Sequence, residues 1–348
     1  MAEEKSKSSS DLSHLPKHFH EDEEHLSQEC KNLIATLPTE MAVMNVPIHQ
    51  YNGFWFSKKH IQGILNFQNH YQSHDSDILL VTFPKAGTTW LKALTFTILN
   101  RKTYDPKPTR TPQNPHPLLT SSPHDLVPFV EYCDDLQKAI AYAGSFSSSS
   151  SPRLLQCQVP YVLLPESVKQ SGCNIVYLCR NPKDLFVSSW KFMNKLLEAE
   201  GQGLVSIEDA FEKFCEGLVG YGPFWDHMLG YHKESLKSPE KVMFLRYEQL
   251  KSEPVRVVKN LAEFMGCGFS QEEEKDGNVA ADILELCSFE SLSNMEVNKP
   301  GNSWRNIENN AFFRRGEVGD WKNFFTFDMV QRLNVITEEK LEKHGLKF

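Results

Sequence analysis

Three short apolar runs along the chain are each followed by a polar turn and an amphipathic stretch. The first is Ile78–Phe83 (ILLVTF), then the small polar turn Lys85–Thr89, then a helical pattern over Trp90–Leu99. The second is Asn174–Cys179 (NIVYLC), the turn Arg180–Asp184 and a helical pattern over Leu185–Leu196. The third is Val242–Arg246 (VMFLR), followed by Tyr247 and a helix through Met265. Unbroken apolar runs of this length suit strands covered on both faces. Strands alternating with helices predict an α/β fold, a single domain whose central parallel sheet is flanked by helices. Upstream, Ile61, Ile64, Leu65 and Phe67 recur at helical spacing within Ser57–Tyr71. A short helix is predicted near Cys30, stopped by Pro38.

Composition narrows the class. The chain has 348 residues, and residues 1–28 are polar and charge-rich with a serine run. They predict a disordered tail, which leaves residues 29–348 as the folded domain. Ala143–Pro152 (AGSFSSSSSP) reads as a flexible loop. A net charge of −8 argues against a general nucleic-acid binder, so any anion site has to be local. The N-terminus has no apolar core of the kind a secretory signal carries, and no run is long enough to span a bilayer. The eight cysteines are scattered without a CxxC pair, so neither a zinc site nor a disulfide framework is expected. These features together point to a cytoplasmic enzyme without a metal.

The turn Thr82–Trp90 (TFPKAGTTW) carries the clearest chemistry. A strand that ends in a glycine-containing turn aims backbone N–H groups and a helix N-terminus at one point, a natural anion site. Lys85 adds charge, and Thr88 and Thr89 add hydroxyls. The same residues also fit an ordinary turn between strand and helix. The order differs from a Walker A loop, since the lysine precedes the glycine, which argues against a magnesium-dependent ATPase or kinase.

PKAGTTWLKALTF resembles the 5′-phosphosulfate loop of the cytosolic sulfotransferases, enzymes that use 3′-phosphoadenosine 5′-phosphosulfate (PAPS). CRNPKDLFVSSW resembles the family's 3′-phosphate segment, FLRYEQLKSEP and LCSFESL its adenine-side segments, and FFRRGEVGDWKNFFT its terminal phosphate clamp. SSPHDLVPFVEY, YGPFWDHMLGY and LPESVKQSGC resemble the plant branch, which includes flavonol, hydroxyjasmonate and brassinosteroid sulfotransferases. The resemblance implies a P-loop-like, nucleotide-binding sulfotransferase fold. It implies that Lys85 stabilises the leaving phosphate and that Ala86, Gly87, Thr88 and Thr89 form the 5′-phosphate loop. Trp90, Tyr247, Ser288 and Phe289 would then lie on the adenine side. Arg180, Ser188, Arg314, Arg315 and Gly316 would hold the 3′-phosphate. Forked guanidinium donors suit that task.

Four positions depart from the family's usual pattern. Arg315 replaces a common lysine and keeps the charge. Ala86 removes a hydroxyl usual there. Gln158 stands where the family has the histidine that deprotonates the acceptor hydroxyl, and Cys157 replaces the preceding threonine. A glutamine amide holds no abstracted proton at neutral pH. His124 is then a candidate base. Alternatively the acceptor needs no base, or the chain binds PAPS and transfers sulfate weakly or not at all. Cys157 reads as a buried thiol. Phe54, Trp55, His124, Phe129, Tyr161, Phe192 and Phe224 are expected to wall the acceptor pocket, for a small hydroxylated acceptor of aromatic, steroid, jasmonate or alkaloid class. A dimer segment found in some relatives is only half matched by Lys322, Thr326, Phe327 and Gln331, which implies a monomer or weak homodimer.

Overall fold

The structure is a computed structural model that describes residues 25–107, 114–133, 135–145, 152–275 and 279–348. The tail up to residue 24 and most of the serine-rich loop lie outside the described residues. The first described helix is Gln28–Ile34, capped by the Ser27 hydroxyl on Cys30 N–H.

An antiparallel sheet comes first, with β1 (Thr39–Met41), β2 (Pro47–Tyr51) and β3 (Phe54–Phe56). The central sheet is made of β4 (Ile78–Thr82), β5 (Leu154–Cys157), β6 (Asn174–Cys179) and β7 (Val242–Arg246). Its order is β5-β4-β6-β7, and all three pairings are parallel. Side chains alternate between its faces. Leu79, Val81, Leu155, Ile175 and Tyr177 join one apolar core, while Ile78, Leu80, Leu154, Val176 and Leu178 join another. Both faces are therefore dry, which is why these strands read as unbroken apolar runs. Burying each such aliphatic side chain is worth about 1.5–3 kcal/mol before the entropy of ordering it.

The predicted strands β4, β6 and β7 are present at nearly the expected bounds. The helices Lys58–His70, Thr88–Asn100 and Pro182–Ala199 follow the periodic segments. The helix expected through Met265 is instead two, Tyr247–Ser252 and Pro254–Phe264. Pro254 has no N–H to continue the first and takes the opening position of the second. Strand β5 carried no sequence signal, since it is short and mixes Gln156 among apolar residues. It is pinned at its start, where Arg153 forms a bidentate pair with buried Asp77 at 2.6 and 2.5 Å. Tyr71 donates to the same carboxylate at 2.6 Å.

The topology decides where chemistry can occur. The chain leaves β4 to one side for β5 and returns to the other side for β6. Crossovers that diverge in this way open a crevice at the carboxyl ends of the strands. Lys85, Gln158, Arg180 and Tyr247 follow the ends of the four strands, so the sheet brings them to one edge.

Candidate active site

A cavity of about 1320 Å³ opens at that edge. Among the residues singled out from the sequence, Lys85, Gly87, Thr88, Thr89, Trp90, His124, Gln158, Arg180, Ser188, Tyr247, Phe289, Arg314, Arg315 and Gly316 line it. Ala86 and Ser288 do not. Ala86 is fully buried, and the Ser288 hydroxyl caps the helix Phe289–Asn294 by accepting from Ser291 N–H at 3.0 Å.

The loop after β4 is sharply bent. Lys85 has φ +67 and Gly87 has φ +117, both in the left-handed region. A Cβ on Gly87 would lie 2.9 Å from the Tyr247 ring, so only glycine fits. Gly87 starts the helix Thr88–Asn100 without a side-chain cap, and the first-turn N–H groups of a helix have no partners within it. The Thr88 hydroxyl lies 2.6 Å from that of Thr82, which fixes the helix on the strand.

Positive charge gathers around this point. The Lys85 ammonium sits 3.7 Å from the centre of the Phe192 ring. Burial, then the charges of Arg180, Arg314 and Lys195, pull its pKa down to about 7. Arg180 stacks 4.5 Å from Tyr247 and donates to the carbonyls of Glu317 and Lys85. Among the described residues no carboxylate pairs with Lys85 or Arg180. Among the described residues, the buried Nε atoms of Arg180 and Arg314 and the Trp90 indole N–H have no hydrogen-bond partner. Such orphaned donors are costly unless a ligand satisfies them.

The terminal clamp is held from behind. Buried Asp320 accepts from Arg314 and from Arg315, the latter at 2.7 Å. Asp184, near the start of the helix Pro182–Ala199, accepts from Gly319 N–H at 2.7 Å and Trp321 N–H at 3.1 Å. Gly316 has φ +65, and a Cβ there would lie 2.6 Å from Phe289. The Tyr247 hydroxyl donates to its carbonyl at 2.9 Å.

On the acceptor side, Gln158 is buried. Its Oε1 accepts from the Tyr132 hydroxyl at 3.1 Å, and its backbone N–H donates to Glu131 at 2.6 Å. His124 has both ring nitrogens engaged, Nε2 at 3.0 Å from Thr89 Oγ1 and Nδ1 at 3.5 Å from Lys92 Nζ. Burial and the charges of Lys92 and Lys85 hold its pKa well below the usual histidine range. Cys157 is buried, and its thiol is pushed well up, first by burial.

The expected aromatic wall is only partly correct. His124, Phe129 and Phe192 line the cavity, but Phe54, Trp55, Tyr161 and Phe224 do not. Phe224 packs edge-on against Phe83, Tyr161 against Tyr231 and Phe54 against His227, within the core. The sequence missed Tyr132, Tyr221, Trp304 and Phe312 as cavity residues, although Tyr132, Tyr221 and Phe312 stand inside SSPHDLVPFVEY, YGPFWDHMLGY and FFRRGEVGDWKNFFT, and only Trp304 lies outside such a segment. Among the described residues no cluster of His, Cys, Asp or Glu could hold a metal ion.

A parallel sheet thus sets a glycine turn with an uncapped helix start at its topological switch point, and an arginine-rich segment beside it, on one cavity. Residues 75–345 match the model of the sulfotransferase domain, and the chain belongs to the sulfotransferase family. It is a PAPS-dependent sulfotransferase. It is 47% identical to cytosolic sulfotransferase 15 of Arabidopsis thaliana, over 94% of this chain and 89% of that one. It is also similar to the crystal structure of an Arabidopsis thaliana candidate steroid sulphotransferase, at TM-score 0.68 and 38% identity. That match covers 93% of this chain and 98% of the other. A mouse sulfotransferase complexed with PAP shares the fold at TM-score 0.62 and 24% identity, over 86% of this chain and 95% of its own. Among the described residues no helix is long and apolar enough to cross a membrane.

Proposed function

We propose that this chain moves a sulfuryl group from PAPS to a hydroxyl of a small plant metabolite, with Gln158 in place of the family's usual histidine. The observation that carries this reading is the pair of cations Lys85 and Arg180, without a carboxylate partner among the described residues, at an uncapped helix N-terminus beside the Arg314–Gly316 segment. The orphaned donors of Arg180, Arg314 and Trp90 fit a ligand with two anionic ends and a flat ring between them. Bound PAPS supplies an activated sulfuryl group whose leaving group is an anionic phosphate.

The chain's own residues would then act as follows. The Gly87–Thr89 backbone and hydroxyls hold the 5′-phosphate, and Lys85 neutralises charge on the departing oxygen. Arg180, Ser188, Arg314, Arg315 and Gly316 close on the 3′-phosphate, and Trp90, Tyr247 and Phe289 enclose the base. His124 orients Thr89 through its Nε2 contact. The rings of Phe129, Phe192, Trp304 and Phe312 support a flat or polycyclic acceptor of aromatic, steroid, jasmonate or alkaloid class. The relatives' names support a cytoplasmic location. Residues 29–348 would form the domain behind a disordered tail. The exposed, half-matched segment around Phe327 supports a monomer or weak homodimer.

A second reading is a PAPS-binding protein with weak or no transfer, favoured by the amide at position 158. Calorimetric binding of PAP, paired with a radiolabelled PAPS transfer screen over phenols, jasmonates, steroids and alkaloids, separates the two. Binding with transfer to one class supports the enzyme. Binding without transfer supports the second reading, and absence of binding overturns both.

A further inference from the structure

The wall around Gln158 fixes which end of its amide meets the acceptor. Its backbone is tied on both sides: the N–H donates to Glu131 Oε1 at 2.6 Å, and the carbonyl lies 2.8 Å from His227 Nε2. The side chain is held by two tyrosines in series. Tyr221 Oη donates to Tyr132 Oη at 3.1 Å, and Tyr132 Oη donates to Gln158 Oε1 at 3.1 Å. A hydroxyl has one hydrogen, so Tyr132 commits it to Oε1 while accepting from Tyr221. The amide oxygen is thereby occupied. Among the described residues Gln158 Nε2 has no hydrogen-bond partner, and it stays open to the cavity that the residue lines. An amide nitrogen only donates. A histidine at this position could offer a lone pair, whereas this wall offers N–H groups.

We propose that Gln158 donates to an acceptor that arrives already ionised, and that the substrate is therefore an acidic phenol taken as its phenolate. The proposal rests on the sulfotransferase reading above and names the acceptor class within it. In the step, the phenolate oxygen forms a bond to sulfur as the bond from sulfur to the phosphate oxygen breaks, and the phosphate leaves with the electron pair. The acceptor's proton has gone to solvent before binding, so the protein receives none. Gln158 touches the reacting oxygen as a donor, and Tyr132 is a positioning residue that acts through it.

The rest of the cavity suits an anion on a flat ring. Among the described residues Asp125 is the one carboxylate that lines it, and its Oδ2 accepts from the Ser122 hydroxyl at 2.9 Å and N–H at 3.2 Å. Lys85 lines the same cavity, and Arg305 lines it close enough for its charge to act on Tyr132. Phe129 packs with ring centres 5.3 Å from both Tyr132 and Trp304, so aromatic faces border the amide. An aliphatic hydroxyl does not ionise near neutral pH and an electron-poor phenol does, so a wall that only donates separates the two. Around Gln158, burial pushes the Glu131 carboxyl up to about 7 and pulls the His227 imidazole down to about 4. The Cys157 thiol and the Tyr132 and Tyr221 phenols are pushed up, first by burial. His60 packs on both tyrosines at 5.2 and 5.0 Å, with Nδ1 3.0 Å from Ser57 Oγ. Any of these groups acting as a base would titrate at a pH of its own, the same for every acceptor.

The test assays the wild type at saturating PAPS on a strongly acidic nitrophenol, on phenol and on cyclohexanol, with PAP binding measured alongside by calorimetry. Phenol has a pKa of about 10 and is ionised to about one part in a thousand at pH 7, so kcat/KM on nitrophenol is expected to exceed that on phenol by roughly 10²–10³. Cyclohexanol is expected to receive nothing. As pH rises from 6 to 8, kcat/KM on phenol climbs without a plateau, and that on nitrophenol levels off at the acceptor's own pKa. Gln158→Met removes the donor at similar length and should lower kcat/KM on nitrophenol roughly 10- to 100-fold with PAP affinity unchanged. Tyr132→Phe releases Oε1 and should raise KM on nitrophenol several-fold, adding nothing in the Gln158→Met background. Comparable rates on phenol and nitrophenol at pH 7, or a limb at the same pH for both, overturn the proposal and put a base on the enzyme, be it Glu131, His60 or Asp125. Transfer to cyclohexanol overturns it too, as does a Gln158→Met form with wild-type activity on nitrophenol. A wild type that binds PAP and transfers to none of the three also overturns it, and one that does not bind PAP overturns the sulfotransferase reading itself.

Discussion

Thr89 Oγ1 lies 3.0 Å from His124 Nε2, while Lys92 Nζ lies 3.5 Å from His124 Nδ1. Lys92 donates to Val127 O, and with its amine also donating to Nδ1 the ring would carry its hydrogen on Nε2, toward Thr89. Lys92 is itself buried, anchored on Val127 O at 2.7 Å and on the face of Phe129 at 3.4 Å. The imidazole therefore faces the nucleotide loop with a donor and has no free lone pair for an acceptor's proton.

His124→Ala is expected to weaken PAP binding several-fold by freeing the Thr89 hydroxyl, and to lower kcat by a similar factor. The pH dependence of kcat between 6 and 8 should stay as in the wild type, because His124 is neutral throughout that range. Calorimetry and a pH profile check this. A lost acidic limb would restore His124 as the base.

Gly316→Ala places a methyl 2.6 Å from Phe289 and forces φ +65 on a residue with a Cβ. Strain of this type costs about 1–3 kcal/mol, or roughly five- to hundred-fold in PAP affinity if the loop relaxes away from its bound shape. Adding Phe289→Ala should recover only part of the loss, since the clash is relieved and the dihedral is not. PAP titration of the single and double variants measures both parts.

Lys85 is held at about 7, largely by burial and then by neighbouring cations. An anion beside it raises that value, so PAP binding at pH 7.5 should take up a proton. Affinity should be full below about pH 7 and fall as pH climbs above it. Titrations in buffers of different ionisation enthalpy read the uptake directly. In the free protein the sign is opposite to that of a stabilising pair. The unfolded lysine stays charged up to its ordinary value of 10.5, so the shift destabilises the fold most below about pH 7 and is relieved as pH rises toward 10.5. Lys85→Met should accordingly melt higher than the wild type near neutral pH while losing transfer.

Gln158→His tests the position from the other direction. An imidazole there can take the acceptor's proton, so kcat on phenol should rise by roughly 10²–10⁴ while kcat on a strongly acidic nitrophenol changes little. Steady-state rates of both forms on both acceptors decide it. No gain on phenol would mean that position 158 does not face the reacting oxygen.

The cationic segments that line the cavity were legible from the chain because each is local. A buried strand, a glycine turn and a helix start lie within a dozen residues, so one stretch of sequence contains both the geometry and the donors. Arg180 with Ser188, and Arg314 with Gly316, are local in the same sense. The acceptor side was not legible. Phe54 and Phe224 are as aromatic as Phe129 and Phe312, and only packing turns the first two into the core and the others toward the cavity.

By itself the sequence determined the alternation of strand and helix, the parallel character of the sheet and the local grouping of the cationic residues that line the cavity. All of these follow from periodicity and short-range geometry. Only the tertiary structure decided what surrounds Gln158. Strand β5 has too weak a pattern to be read alone, and its place beside β4 sets Gln158 next to Glu131 and Tyr132. Tyr221 arrives from a turn 63 residues further along the chain. Contacts between residues so far apart depend on how the crossovers pack, and no local pattern of apolar and polar residues encodes them.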